Sequence, residues 1–351
     1  MINLTIDGKP LSLEAPIKLI EAARLVGIEI PNLCYAPELT DFTGCRMCIV
    51  EIEGYPKLMT SCSTMAEDGM VVHTKTPEIR EVRRTLLDLL MSNHPADCLT
   101  CEQVGVCTLQ DLCYEYGIAF PTYSKTHTEY PLDYANPVMI RDQSKCIKCS
   151  KCVRVCAEIQ VSHVYSHVGR GFTSTVTTAQ DLPISRENCR MCGQCISACP
   201  TGALVNKQMV GYRAWELKKV RTTCPFCGTG CQFDLNVDVK NNKVVGVTPV
   251  ADAPVNGTQM CVKGRYHTDF ISSPERLTQP LIRKNGELVP TSWDEALAFV
   301  AGKLTEIKNQ YGADAVAGLS SARCTNEENY LFQKFMRRAV GTNNVDHCAR
   351  T

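Results

Sequence analysis

The spacing of the cysteines between Cys146 and Cys199 constrains this chain more than any other feature. The sequence has the pattern Cys-x2-Cys-x2-Cys-x3-Cys from Cys146 to Cys156, and repeats it from Cys189 to Cys199, where Pro200 follows. Short loops of this kind aim several thiolates at one metal centre, and the apolar residues between them keep water away. Two matching runs therefore predict two metal centres.

The doubled run resembles that of bacterial ferredoxins with two [4Fe–4S] clusters, in which the fourth cysteine of each run ligates the other cluster. The resemblance implies one cluster held by Cys146, Cys149, Cys152 and Cys199. It implies a second held by Cys189, Cys192, Cys195 and Cys156. Zinc is the alternative, since paired Cys-x2-Cys motifs also bind it. Eight cysteines in two matched runs favour iron–sulfur clusters.

Composition limits the class of protein. A chain of 351 residues predicts about two to four domains. Its 22 cysteines are not read as disulfides, because the start shows no signal peptide and instead alternates like a strand. There is no run of about 18 apolar residues that could span a membrane. With 37 basic and 37 acidic residues, a nucleic-acid surface is not expected. We therefore expect reduced, metal-bound thiolates in the cytoplasm.

The first 78 residues predict a small β-rich domain with one helix. Ile2, Leu4 and Ile6 alternate before an Asp7-Gly8 turn, and a second strand and a short helix follow. Four cysteines come next: Cys34, Cys45, Cys48 and Cys62. This order resembles the β-grasp [2Fe–2S] domain of the NADH dehydrogenase large iron–sulfur subunit and of iron-only hydrogenases. Scattered free cysteines are the alternative.

A helix is predicted next, capped by Thr76 and starting at Pro77. We expect its core face to carry Ile79, Val82, Leu86, Leu89 and Leu90. Beyond it stand His94, Cys98, Cys101 and Cys107. They resemble the His-ligated [4Fe–4S] cluster of the same two families, although a lone histidine is more often structural. Cys113 is expected to pack as a small apolar side chain.

Two further stretches are assigned no chemistry. Residues 114–136 are rich in aromatic rings and proline, and are interpreted as a packed connector rather than a binding strip. The insert at 157–188, between the ferredoxin halves, contains His163 and His167, which are taken as structural. Its Gly169-x-Gly171 is too short a signal to define a phosphate loop.

A fourth group follows a linker near Trp215: Cys224, Cys227, Cys231 and Cys261, spaced Cys-x2-Cys-x3-Cys-x29-Cys. It resembles the amino-terminal [4Fe–4S] domain of molybdenum/tungsten bis-pterin oxidoreductases. Within that superfamily, residues 224–231 and 261–264 are most similar to formate dehydrogenase catalytic subunits. By that resemblance Lys263 assists electron transfer between cluster and pterin; a plain surface lysine is the alternative.

The last 78 residues predict the start of an α/β domain. Ser292-x-x-Glu295 predicts a capping box, residues 315–319 a buried strand, and Thr325-x-x-Glu328 a second capped helix ending at Gly341. Loops at strand carboxyl ends bind ligands. The family resemblance makes Cys324, Asn326 and Glu327 candidate pterin contacts; Cys324 and Cys348 otherwise look like ordinary buried cysteines.

The carboxyl end also suggests a hypothesis. In formate dehydrogenases a segment similar to residues 346–351 directly precedes the metal-ligating selenocysteine or cysteine. We therefore expect an in-frame UGA selenocysteine codon that has been read as a stop. The continuing reading frame would test this, and a natural short electron-transfer subunit is the alternative.

These elements predict a multidomain α+β iron–sulfur protein. The expected domains are a β-grasp [2Fe–2S] domain at 1–78, a domain with one histidine and three cysteines as cluster ligands at 79–119, a tandem [4Fe–4S] ferredoxin domain at 137–212, a small [4Fe–4S] domain at 217–273 and an incomplete molybdopterin-binding α/β domain at 274–351.

The resemblance implies one [2Fe–2S] cluster, four [4Fe–4S] clusters and, in a full-length protein, a molybdenum or tungsten bis(molybdopterin guanine dinucleotide). The implied activity is formate oxidation or carbon dioxide reduction, with an NAD- or flavin-binding, hydrogenase or ferredoxin partner; the 351 residues alone are expected to be inactive. The alternatives are an NADH dehydrogenase large subunit, not expected to carry two ferredoxin runs, an iron-only hydrogenase, and a non-catalytic iron–sulfur carrier.

Overall fold

The computed structural model describes residues 1–123 and 128–348, and the chain divides into two compact units. The first unit is Met1–Leu217 and the second is Lys218–Thr351. Both mix helices with small sheets, as the sequence predicted.

The amino-terminal hairpin forms as the alternation predicted. Strand β1 (Ile2–Ile6) pairs antiparallel with β2 (Lys9–Leu13). Asp7 and Gly8 join them with φ of 46° and 78°, the two positive φ angles that a tight two-residue hairpin turn needs. Helix α1 (Leu19–Leu25) follows and buries its apolar side against this sheet.

Three more strands complete a mixed five-stranded sheet. They are β3 (Ile49–Ile52), β4 (Met59–Thr60) and β5 (Val71–His73), and the strand order is β2-β1-β5-β3-β4. Strands β1 and β5 run parallel, and β3 is antiparallel to β5. The core beneath the sheet includes the cysteines Cys48 and Cys62, so the predicted ligands lie at the edge of a well-packed core.

Helix α2 (Pro77–Ser92) begins as predicted but turns a different face inward. The Thr76 hydroxyl accepts a hydrogen bond from the Ile79 amide at 3.3 Å. The buried positions include Ile79, Arg83, Leu87 and Met91, whereas Val82 and Leu89, expected in the core, are 36% and 45% exposed. The expectation is met by Ile79, and Leu86 and Leu90 are partly buried against the core, but it was wrong for Val82 and Leu89. The inward face carries a charged residue, which apolar periodicity does not reveal.

The rest of the first unit consists of short elements. Helix α3 (Thr108–Tyr116) ends at Gly117, whose φ is 68°. The remaining elements are β6 (Met139–Arg141), α4 (Lys151–Arg154), a π-helical turn (Val155–Ile159), β7 (Ser166–Val168), β8 (Thr175–Thr177), α5 (Gln194–Ala198) and β9 (Leu204–Asn206). Strand β6 pairs with β9 and β7 with β8, while α4 contacts α5. These contacts place the two cysteine runs side by side.

Up to residue 348, the second unit forms three separate small sheets. Strands β10 (Leu217–Thr223), β11 (Gln232–Asp238) and β12 (Lys243–Pro249) form one, followed by helix α6 (Val262–Tyr266) and the hairpin β13 (Leu281–Lys284) and β14 (Glu287–Pro290). The last elements are α7 (Trp293–Tyr311), β15 (Gly318–Ser320), α8 (Asn326–Phe335), a π-helical turn (Met336–Val340) and β16 (Val345–His347), which pairs parallel with β15.

Two expectations for this region need correction. The strand predicted at 315–319 starts only at Gly318, and Leu319 is 79% exposed rather than buried. Ser292 does cap α7, but the Glu295 carboxylate accepts a hydrogen bond from the Thr291 hydroxyl, so the reciprocal half of the predicted box is displaced. The second box at Thr325 is complete, and the helical segment ends at Gly341 as predicted.

No helix within 1–123 or 128–348 combines the length and apolar character needed to cross a lipid bilayer.

Candidate metal centres

The structure gathers the first four cysteines at one edge of the amino-terminal sheet. The Cys34 and Cys45 thiols are hydrogen-bond partners, as are those of Cys48 and Cys62. These bonds lower the pKa of Cys34 to about 6 and that of Cys48 to about 7, and raise the pKa values of their partners. Four thiols this close suit a cationic cluster core, which stabilises thiolates that would otherwise repel one another.

The second set lies between α2 and α3. Burial raises the pKa of Cys107 to about 11, and the charges of Cys101 and Cys98 raise it further, so these three side chains are near one another. His94 lies two residues beyond α2 and is buried. Cys113 is buried as expected, and Cys107 and Cys98 are among its neighbours.

The tandem runs assemble crosswise. Cys146, Cys149 and Cys152 have raised pKa values, first because they are buried and also because the Cys199 thiolate is near. These four thiols line a common cavity. The pKa of Cys195 is likewise raised, first because the side chain is buried. The charges of the remaining three cysteines, Cys192, Cys189 and Cys156, also raise it. The structure thus brings together the same two sets of four that the ferredoxin resemblance implied.

Backbone amides point at the sulfurs of both runs. Lys148 donates to Cys146 Sγ at 3.4 Å, and Met191 donates to Cys189 Sγ at 3.3 Å. Both donors stand at the equivalent place in their runs and have positive φ, 58° and 54°. Hydrogen bonds from amides to ligand sulfur are a normal feature of iron–sulfur sites, so the donor sets fit such clusters.

Within the described parts of the chain, no three His, Cys, Asp or Glu side chains lie close enough together to hold one metal ion.

The fourth set lies in the second unit, on the loop before β11 and at the start of α6. Burial raises the pKa of Cys224, and the charges of Cys231, Cys261 and Cys227 add to it. The loop is closed by the Cys224 amide, which donates to the Cys231 carbonyl at 2.8 Å. Cys227 and Cys261 are exposed, in contrast to Cys224.

Charged and loop residues of the second unit surround Cys227. Its pKa is lowered, mainly by hydrogen bonds with Thr229 and then by the positive charges of Lys263 and Arg323. Lys263 is exposed on α6. A Cβ atom on Gly228 would lie 3.2 Å from the Ala322 carbonyl oxygen, so the loop after β15 borders this set.

The candidate pterin contacts are in that loop and at the start of α8. Cys324 is half-buried, while Asn326 and Glu327 are exposed in the first turn of the helix. Cys348 is exposed, which corrects the expectation of a buried cysteine; its Sγ lies 3.5 Å from the Ser321 hydroxyl. The last three residues of the end segment, 349–351, lie outside the described part of the chain.

Sequence reasoning missed a residue that connects two of the sets. Arg154, between Cys152 and Cys156, is 8% exposed, and its guanidinium donates to the Cys34 carbonyl at 2.5 Å and to the Thr40 carbonyl. Glu158 supports the same contact by accepting a hydrogen bond from the Thr40 amide at 2.8 Å. An arginine inside a ferredoxin run carries no pattern that would predict this long-range contact.

A second connection was also missed. The Cys107 thiol donates to the Pro200 carbonyl at 3.6 Å, and a Cβ atom on Gly202 would lie 2.7 Å from Cys101 Sγ. Only a glycine permits this approach, which brings the second set against the end of the tandem run. Lys145 reinforces it through ion pairs with Asp97 at 3.0 Å and Asp142 at 3.1 Å.

Comparison with protein-family models agrees with this organisation. The matches are a 2Fe–2S iron–sulfur cluster binding domain at 1–77, the NADH-ubiquinone oxidoreductase-G iron–sulfur binding region at 83–121, a 4Fe–4S dicluster domain at 145–203, a molybdopterin oxidoreductase Fe4S4 domain at 217–273 and molybdopterin oxidoreductase at 276–351. By these matches, the chain contains [2Fe–2S] and [4Fe–4S] cluster binding domains followed by a segment similar to molybdopterin oxidoreductase.

Three curated relatives are similar over nearly the whole chain. The NADPH-Fe(3+) oxidoreductase subunit alpha of Geobacter sulfurreducens is 38% identical over 100% of this chain and 40% of its own length. The G 2 subunit of the NADH-quinone oxidoreductase of Rhizobium meliloti is 40% identical over 100% of this chain and 40% of its own. A putative formate dehydrogenase of Bacillus subtilis is 36% identical over 99% of this chain and 40% of its own.

The chain therefore spans about 40% of the length of these relatives. A solved structure, an NAD+-reducing [NiFe]-hydrogenase in the H2-reduced state, matches with a TM-score of 0.52 and 29% identity, over 59% of this chain and 87% of that one. The relative named as an NADH-quinone oxidoreductase aligns with the whole chain. The extent of similarity therefore does not distinguish this relative from the putative formate dehydrogenase. This is contrary to the expectation that the two ferredoxin runs would set an NADH dehydrogenase large subunit apart.

Proposed function

We propose that this chain binds one [2Fe–2S] and four [4Fe–4S] clusters and conducts electrons between a pterin-bound molybdenum or tungsten centre and a partner redox subunit in the cytoplasm. When bound, the clusters supply one-electron transfer, and the metal–pterin centre supplies the two-electron chemistry of formate and carbon dioxide. The observation that carries the proposal is the crosswise assembly of the tandem runs into two four-thiol sets.

The chain's own residues perform three tasks in this proposal. The twenty predicted ligands hold the clusters. Of the sixteen in the first unit, eight are buried and eight are partly buried, which limits the access of water. Backbone amides such as that of Lys148 offset the negative charge on ligand sulfur. Arg154 and Gly202 keep neighbouring sets in contact, which shortens the distance an electron must cross.

Formate is the substrate we favour, because the residue pattern around the fourth set is most similar to formate dehydrogenases, and a relative carries that name. Lys263, whose charge reaches Cys227, would assist electron transfer from this set. Cys324, Asn326 and Glu327 would contact the pterin from the neighbouring loop and the start of α8.

The partner we propose is an NAD- or flavin-binding subunit, or a hydrogenase or ferredoxin. Two relatives are named as subunits of NADPH- or NADH-dependent oxidoreductases, and the solved structure is of an NAD+-reducing hydrogenase. The same names support a second candidate function, an iron–sulfur carrier in a hydrogenase or NADH dehydrogenase-type complex that does not act on formate.

The two candidates differ in what reduces the clusters. In the anaerobically purified full-length complex, formate should generate the electron paramagnetic resonance signals of reduced clusters within seconds. Reduction by NADH or hydrogen, with no response to formate, would instead support the carrier function. Lys263→Met should slow formate-driven reduction at least about tenfold, which corresponds to a barrier raised by roughly 1.4 kcal/mol. Lys243→Met, at an exposed position on β12, is the matched control and should leave the rate unchanged.

A further inference from the structure

The insert at 157–188, to which the proposed function gives no task, places a buried phenol against one of the two tandem sets. Tyr165 is 4% exposed, and its hydroxyl donates a hydrogen bond to Cys195 Sγ at 3.4 Å. A tyrosine hydroxyl buried to this degree requires a hydrogen-bond partner, and here the partner is a predicted cluster ligand.

The backbone beside Tyr165 serves the same set. The Val164 amide donates to Cys156 Sγ at 3.4 Å. Cys156 and Cys195 come from different runs but belong to one set. The dipeptide therefore directs two hydrogen bonds at two sulfurs of a single proposed cluster.

The set that includes Cys199 differs in this respect. The Thr201 hydroxyl lies 3.7 Å from Cys199 Sγ, but its proton goes to the Lys145 carbonyl, 2.9 Å away. The two tandem sets have the same ligand spacing. They differ in that the set with Cys195 accepts a hydrogen bond from the Tyr165 hydroxyl, whereas Thr201 provides no such bond to the set with Cys199.

The other neighbour of the phenol is a weaker acceptor. Met139 Sδ lies 3.9 Å from the Tyr165 hydroxyl and 3.9 Å from Cys195 Sγ. A thioether accepts hydrogen bonds only weakly, and a negatively charged thiolate accepts them strongly. The phenol proton is therefore held by the thiolate, in a buried environment that strengthens the interaction.

We propose that Tyr165 is a positioning residue that raises the reduction potential of the cluster held by Cys156, Cys189, Cys192 and Cys195. This rests on the proposed function, because it requires that the cluster is present. Reduction adds one negative charge to the cluster and its ligands, so a hydrogen bond to ligand sulfur is stronger in the reduced state. The bond therefore favours reduction and makes this cluster the preferred site for an electron within the pair.

The test is a potentiometric titration of the holoprotein, followed by electron paramagnetic resonance. Tyr165→Phe removes only the hydroxyl. One [4Fe–4S] couple should become harder to reduce, with an equilibrium constant lowered roughly tenfold, which corresponds to about 59 mV for one electron. The coupling of one exchangeable proton to that reduced cluster, detected by comparing samples in H2O and D2O, should also disappear.

Met139→Leu is the matched control, since it changes packing on the same Cys195 but keeps the phenol bond. It should retain both the potential and the exchangeable-proton signal.

The outcomes separate this inference from the function on which it rests. Wild-type protein without iron and sulfide contradicts the proposed function. Unchanged potentials in Tyr165→Phe, with full iron and sulfide content, overturn the role of Tyr165 alone. If Tyr165→Phe loses a cluster, the variant with 3-fluorotyrosine at position 165 tests the inference instead. Its hydroxyl is more acidic and a stronger donor, so it should raise the reduction potential of the same cluster. An unchanged reduction potential would overturn the inference.

Discussion

The proposed ligand sets of the first unit are enclosed, in that none of their ligands is exposed, whereas the set of the second unit is open, with two of its four ligands exposed. Cys34, Cys48 and Cys62 are each at most 2% exposed, but Cys227 and Cys261 are exposed. The enclosed sets are contacted by segments far away in sequence, as Arg154 contacts the Cys34 loop. The open set is bounded by its own loop, the start of α6 and the loop after β15.

This difference suggests two kinds of electron-transfer site. Long-range contacts insulate the first unit's sets from water and fix the distances between them. A set with exposed ligands is accessible to whatever covers or approaches it, and its properties depend more on the surroundings. Predictions that compare matched residues in the two units test whether enclosure has these consequences.

The largest effect on stability is expected at Arg83. This side chain is 2% exposed, and it donates to the carbonyls of Thr74 and Ile49 and to the Tyr116 hydroxyl. Arg83→Ala leaves buried acceptors without a donor and should destabilise the first unit by about 3 kcal/mol. Urea unfolding of the anaerobic protein measures this through the transition midpoint.

The control for Arg83 is the exposed Arg221, which pairs with Asp234 at 2.7 Å in the second unit. Arg221→Ala should shift the midpoint very little, because solvent screens exposed ion pairs. Equal shifts in the two variants would show that enclosure does not determine stability here.

The next effect concerns glycines that touch ligand sulfur. Gly202→Ala places a methyl group 2.7 Å from Cys101 Sγ, so the second set should lose its cluster signal, with a stability cost of roughly 1–3 kcal/mol. Gly264→Ala meets Cys224 Sγ at 3.1 Å and should disturb the fourth set less. Cluster content and electron paramagnetic resonance of both variants provide the comparison.

Gly302 provides the control substitution. Nothing lies within 4 Å of a Cβ atom built there, and the residue is inside α7. Gly302→Ala should raise stability by about 1 kcal/mol through helix propensity and leave every cluster signal intact. If Gly202→Ala behaved in the same way, the close approach of the second set to the tandem run would be disproved.

Oxidative damage should follow the same order of exposure. During brief exposure of the holoprotein to air, Cys227 and Cys261 should become available to iodoacetamide several-fold faster than Cys34, Cys48 and Cys62. Peptide mass spectrometry at successive times gives the rates. Faster labelling of Cys34, Cys48 and Cys62 would contradict the proposed difference in enclosure between the two units.

The smallest effect is expected at Arg154. Its positive charge contributes to a lower pKa of Cys34, after the larger contributions of Cys45 and the backbone. Arg154→Gln should make the [2Fe–2S] cluster harder to reduce, by about two- to threefold in equilibrium constant, or roughly 18–28 mV. Arg154→Lys, which keeps the charge, should shift the potential less in the same titration, and a larger shift for lysine would argue against an electrostatic role.

Local patterns predicted local structure well. The hairpin turn at Asp7-Gly8, the Thr76 cap and the Thr325 box all appear where short-range chemistry requires them. The predictions failed where burial depends on distant partners. The charged Arg83 lies on the buried face of α2, where the sequence pattern predicted only apolar residues. Leu319 is exposed although its segment is apolar.

The grouping of the thiols into sets could be predicted from the spacing of the cysteines, because the geometry of a metal centre requires ligands at short, fixed intervals along the chain. The contacts of Tyr165, Arg154 and Gly202 were not accessible, since each joins residues at least 30 positions apart. A tyrosine, an arginine and a glycine in loops have many structural uses, and only the folded chain shows which sulfur or carbonyl each one meets.

The most direct test of the whole account is the iron and acid-labile sulfide content of anaerobically prepared protein, combined with its electron paramagnetic resonance spectrum after reduction. One [2Fe–2S] and four [4Fe–4S] clusters predict about 18 iron atoms and about 18 sulfides per chain, with signals from both cluster types. Protein that contains zinc in place of iron, or iron without acid-labile sulfide, would contradict the account.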